Sequence, residues 1–133
     1  MATDENSILQ FDWTLVEGKK ITAMLGKGHL GASWREIAIC LGDVGVMLRV
    51  NAETDEVIAS LEPVRALTKA WKSIDILSDC VGGELFWSWT SRNSQGYLDM
   101  FTISLSDIDP QIAFVAAAST LSCRKLVEIS AAR

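Results

Sequence analysis

The chain has 133 residues and a mass of 14.5 kDa, and its 12 basic against 17 acidic side chains leave a formal charge of −5. With 49% hydrophobic and 22% charged residues it has ample apolar surface for one core, which excludes intrinsic disorder. The acidic balance argues against grip on a phosphate backbone, so no nucleic-acid partner is expected.

Met1 to Ser7 carry no basic region leading into an apolar stretch, so no secretion signal is read there. The most apolar window, 112–118, is far shorter than the roughly 20 residues of a membrane helix, and no membrane partner is expected. Cys40, Cys80 and Cys123 are odd in number and form no C-x-x-C pair, which fits free thiols in a reducing cytoplasm. One domain over 1–133 is expected, with 1–17 a short helix or arm and 18–129 the core.

In chain order, Ser7 to Glu17 reads as a short helix ending at Gly18, with Asp12 inside its apolar arc. Lys19 to Leu25, Trp34 to Leu41, Gly45 to Val50 and Glu56 to Leu61 are short Val-, Ile- and Leu-rich runs. Gly42-Asp43 and Asn51 to Asp55 supply turns between them, so hairpins are expected. After Pro63 the period changes. Val64, Leu67, Ala70, Trp71 and Ile74 share one helical arc, opposite Arg65, Lys69 and Lys72, and the spacing predicts a helix over 63–74 packed on the sheet through Trp71.

Leu85 to Thr90 and Tyr97 to Ile103 flank the polar tip Ser91 to Gly96, the pattern of a further hairpin. Its register is open between Trp89 opposite Leu98 and Trp89 opposite Asp99. Only the second would bring Asp99 onto the face shared by Trp87 and Trp89. Alternation of Leu121, Cys123, Val127 and Ile129 with polar neighbours predicts a last strand, with Lys125 and Leu126 out of phase. The stretch 110–119 is open between a helix started by Asp109-Pro110 and a strand.

Gly26-Lys27-Gly28-His29-Leu30-Gly31 matches the dinucleotide fingerprint, Ser33 to Glu36 resembles a capping box, and Glu53 and Asp55 follow about 20 residues on. Such a site needs parallel strands with crossover helices, and the second half of the chain reads as hairpins, so no nucleotide cofactor is expected. Asn51 to Glu56 resembles a calcium loop but lacks the glycine at the sixth position and the distal glutamate. His29 is the one histidine, and no nucleophile has a base near it in sequence. No catalytic, metal or cofactor residue is assigned. The five tryptophans, 13, 34, 71, 87 and 89, are read chiefly as core, with an exposed paired platform of Trp87 and Trp89, which share strand parity, as the alternative.

Trp34 to Ile39, Val50 to Val57 and Asn93 to Phe101 together resemble a family of small bacterial single-domain proteins of unknown function. The resemblance implies a strand-rich domain in which Trp34 to Leu41 is extended, and it brings no activity.

The expectation is an α+β domain, mainly an antiparallel β-sheet of about six to eight strands with one packed helix over 63–74. Its expected function is that of a cytoplasmic, non-enzymatic binding or accessory module with a protein partner, or in self-association as a homodimer. The alternatives are an acidic immunity-type inhibitor of a basic toxin or nuclease, whose charge would speed encounter, and a small-ligand binder or enzyme using the His29 loop. Candidate interaction residues are Arg92, Asn93, Gln95, Gly96, Tyr97 and Asp99, whose donors, turn glycine and amphipathic ring suit polar recognition.

Overall fold

A computed structural model describes residues 8–127. Nine strands run in chain order: β1 (Ala23–Leu30), β2 (Ser33–Leu41), β3 (Val44–Val50), β4 (Val57–Pro63), β5 (Lys72–Ser73), β6 (Leu85–Arg92), β7 (Leu98–Leu105), β8 (Ile112–Ala117) and β9 (Thr120–Lys125). All pairings between them are antiparallel. Strand β2 is the branch point. One of its edges pairs with β1 along its length, while Glu36–Leu41 pair with β3 and Ser33–Trp34 with β9. The sheet therefore runs β4-β3-β2-β9-β8-β7-β6 and curls into a half-barrel.

Apolar residues from both wings, among them Ile37, Leu48, Phe101, Ile103, Phe114 and Leu121, fill the enclosed core. Alternation placed them there, since successive strand residues point to opposite faces. The N-terminal segment spans the open side. Ile8 C=O and Gln10 N–H bond to Ala59 of β4 at 2.8 Å each, and Trp13 Nε1 donates to Phe86 C=O of β6 at 2.8 Å. The Gly18 N–H then reaches Leu85 C=O at 2.7 Å.

No α-helix occurs among the described residues; 3-10 turns stand at Trp13–Leu15, Val64–Ala66 and Asp75–Cys80. The helix expected over Ser7 to Glu17 is replaced by the first of these, with Asp12 as its cap through Thr14 N–H, and Ser7 lies outside the described residues. The helix expected over 63–74 is not formed either. Its apolar arc is nonetheless buried in part, because Val64, Leu67 and Trp71 pack on Ala38, Cys40 and Met47 across the outer face of β2 and β3. Leu67 is extended, and Lys72–Ser73 pair with Gly26 and Leu25 of β1. A backbone ladder to an open sheet edge has taken the place of helical hydrogen bonds.

The stretch 110–119 is a strand, β8, so the helical alternative fails there. With β5 it raises the strand count above that expected from sequence. Strand β9 stops at Lys125, whose Nζ reaches Asp79 at 2.7 Å, and that explains its phase; Glu128 and Ile129 lie outside the described residues.

Candidate functional site

The hairpin of β6 and β7 carries the residues singled out from the sequence. Arg92 lies opposite Leu98, and the loop 93–97 is closed by Asn93 N–H to Tyr97 C=O at 2.8 Å. Asn93 Oδ1 accepts the backbone N–H groups of Gln95 at 2.9 Å and Tyr97 at 3.2 Å, as short polar side chains do in turns. Arg92 Nη1 donates to Gly96 C=O at 2.6 Å, and Asn93 Nδ2 donates to Asp99 Oδ2 at 3.2 Å. Gly96 has φ +89°, which glycine adopts without steric cost.

These bonds tie Arg92, Asn93 and Asp99 to the loop itself, while the exposed Gln95 side chain and the 44%-exposed Tyr97 ring make no side-chain hydrogen bond with any described residue. Neither register considered from sequence holds. Trp89 is opposite Thr102, because β6 continues to Arg92 and places the tip farther along. Asp99 falls between the pairs Arg92 with Leu98 and Ser91 with Met100, where the register shifts, so it does not join the tryptophan face.

A second register shift lies between Leu85 and Ser88, where Trp87 N–H donates to Ser104 Oγ at 3.0 Å. The shift turns aromatic rings outward: Phe86 stacks on Trp87 at 5.2 Å, Trp87 meets Trp89 edge-on at 6.3 Å, and Trp87 is 43% exposed. The core reading of Trp87 is corrected accordingly, while Trp34 is buried and Trp13, Trp71 and Trp89 are half-buried.

Strand β6 ends the sheet. Its outer edge is engaged at Glu84 to Phe86 by the N-terminal segment, and beyond Phe86 no described segment pairs with it. From Trp87 to Ser91 it has neither charge nor proline, the usual guards of an edge strand. The opposite terminal strand β4 is covered by Ile8–Gln10, contains Glu62 and finishes at Pro63. The turn at the tip is legible in the sequence, whereas the bare edge of β6 is not. The uncharged run 87–91 was its one local signal.

The glycine run serves packing. A Cβ on Gly26 would stand 2.3 Å from Trp34 Cδ2, one on Gly28 would meet the Arg35 stem at 2.8 Å, and Gly28 and Gly31 have φ +73° and +61°. Because β2 is a strand, the run opens no helix whose N-terminus could hold a pyrophosphate. The ring of His29 stacks on Trp34, with centroids 4.4 Å apart and an interplanar angle of 20°.

The basic trio shares no helix face: Arg65 stands in a 3-10 turn, Lys69 in the connection after it and Lys72 on β5, all three exposed. A separate ionic row crosses three strands. Arg49 Nε donates to Glu36 Oε1 at 2.7 Å, its Nη1 and Nη2 engage Glu62, and Ser60 Oγ donates to Glu62 Oε2 at 2.7 Å. Chiefly through the Glu62 hydrogen bond the guanidinium holds its proton more tightly than usual, and the same bond lowers the Glu62 pKa. Arg49 is thus held by carboxylates on both neighbouring strands.

Among the described residues no group of three or more His, Cys, Asp or Glu is placed to hold a metal ion, and no helix is long and apolar enough to cross a membrane. Residues 1–130 match the family model described as "Family of unknown function (DUF6334)", and the chain belongs to that family. No curated protein and no solved structure matches the chain.

Proposed function

We propose that this DUF6334 chain is a non-enzymatic protein-binding module that captures an extended segment of a basic partner along the outer edge of β6, with Trp87 and Trp89 as anchors. The observation that carries the reading is the contrast between the two ends of the sheet. One is covered by the chain's own N-terminal segment, whereas the other runs bare past Phe86 beside half-exposed rings. Strand addition would satisfy the outward N–H and C=O groups, and the rings would supply affinity, since aromatic side chains dominate binding hot spots.

Net charge selects the class of partner. Two copies, each at −5, repel one another, while a basic protein is drawn in. An inhibitor of a basic toxin or nuclease is the form of this reading that the charge favours. Cys40, Cys80 and Cys123 are free thiols, which suits work in a reducing cytoplasm.

The experiment is selection of a displayed random-peptide library on the full chain, followed by affinity measurement on Trp87→Ala. Enriched peptides should be extended and rich in lysine or arginine, and the variant should weaken them by about tenfold, roughly 1.4 kcal/mol, with its melting temperature nearly unchanged. Peptides that bind the variant as well as the native chain would refute the assignment to β6.

A further inference from the structure

A groove of about 390 Å³ lies between the β1–β2 hairpin and residues 72–76, apart from the β6 edge. Trp34, 9% exposed, and the half-buried Cys123 contribute to its lining, and burial pushes the Cys123 thiol up to about 12, so it is uncharged at neutral pH. Trp34 is covered by Gly26 and by the stacked His29 ring, so it is the exposed His29 ring, backed by Trp34, that offers aromatic surface to the groove.

Lys72 and Asp75 line the same groove and are exposed, and neither makes an ion pair or a side-chain hydrogen bond with any described residue. Both rise from backbone tied to β1, since Lys72 lies opposite Gly26 and the Ile74 N–H donates to Met24 C=O at 3.0 Å. Among the described residues, then, one cation and one anion without ionic partners stand beside the exposed His29 ring, on backbone tied to β1 at Lys72 and Ile74.

We infer that this groove is a small-molecule site for a free aromatic α-amino acid, whose ring lies against the His29 ring, whose carboxylate meets Lys72 and whose ammonium meets Asp75. A simple aromatic anion would leave Asp75 opposing it, and a simple amine would leave Lys72 opposing it. Only a zwitterion answers both charges, and only one with a flat apolar body uses the ring.

The test is an NMR titration of the full chain with L-phenylalanine, following His29 Cε1–H, unique in this sequence, and the backbone amides of 72–75. Saturable shifts with a Kd of about 1 mM are expected, as befits about a dozen heavy atoms in an open groove. Phenylacetate and phenethylamine, each lacking one charge, should bind about tenfold more weakly. Lys72→Gln and Asp75→Asn should each weaken phenylalanine several-fold while leaving the melting temperature unchanged, both side chains being exposed. Absence of saturable shifts up to about 20 mM, or phenylacetate binding as well as phenylalanine, would overturn the inference. The analogue comparison on the native chain separates these outcomes whatever the variants do.

Discussion

Asp55 and Ser119, 64 positions apart in sequence, are joined by a 2.8 Å hydrogen bond from the Ser119 backbone N–H to the Asp55 carboxylate. The other carboxylate oxygen accepts the Ala118 N–H at 2.9 Å. Ala118 and Ser119 form the β8–β9 turn with φ +52° and +63°, left-handed values that cost free energy in any residue with a Cβ. One loop residue thus secures a strained turn on the other wing of the sheet. Its neighbour Glu56 accepts the Leu98 N–H at 2.8 Å, so the Asn51 to Glu56 loop, mistakable for a calcium loop, fastens two hairpins.

Asp55→Ala should lower stability by about 2 kcal/mol, as expected for losing two backbone hydrogen bonds to a partly solvated carboxylate. Ala118→Gly should raise it by up to about 1 kcal/mol, because glycine accepts the left-handed backbone. Urea unfolding of the two variants checks both signs.

Gly26 and Gly31 separate packing from backbone conformation. Gly26→Ala should cost about 3 kcal/mol, since its Cβ would meet the buried Trp34 ring, held from its other neighbour by the His29 stack. At Gly31 nothing lies within 4 Å of a Cβ, and only its φ of +61° penalises Gly31→Ala, by about 1 kcal/mol. Equal losses in thermal denaturation would contradict the packing role given to Gly26.

Short Val-, Ile- and Leu-rich runs between turn clusters mark β2, β3 and β4 in the sequence, and the apolar runs on either side of the polar tip mark β6 and β7, each to within a few residues. Strand β1 runs past the Leu25 limit expected for it, since Gly26 and Gly28 read as a turn when they are the places where Trp34 and Arg35 cross the strand. Val64, Leu67 and Trp71 meet the sheet while Ala70 of the same arc is exposed, because periodicity reports which residues meet a surface and not the backbone that carries them there. At the candidate site the tip's turn chemistry was local and legible. That β6 is the last strand, and that Trp87 faces water, depends on strand order, which no local pattern encodes.

The pair of Arg49 and Glu62 makes stability depend on pH. Hydrogen bonding to the guanidinium holds the Glu62 carboxyl below its ordinary range in the folded chain. Its stabilisation is therefore complete above the unfolded carboxylate's value of about 4.3 and is lost as pH falls through the lower folded value. Glu62→Gln should be less stable than the native chain by about 1 kcal/mol at neutral pH, a figure limited by solvent screening of a partly exposed pair. Chemical denaturation over a pH series should show that difference closing in acid; a difference independent of pH would contradict the coupling.

Hydrogen exchange along β6, with and without a selected basic peptide, tests the docking edge most directly. In the free chain the outward amides among Ser88 to Arg92 should exchange quickly, while the Ala59 N–H, bonded to Ile8 C=O at 2.8 Å, is protected. With peptide bound, those β6 amides should slow by at least about tenfold and the amides of β4 should not change. Protection that appears elsewhere while Ser88 to Arg92 exchange as before would contradict docking at β6.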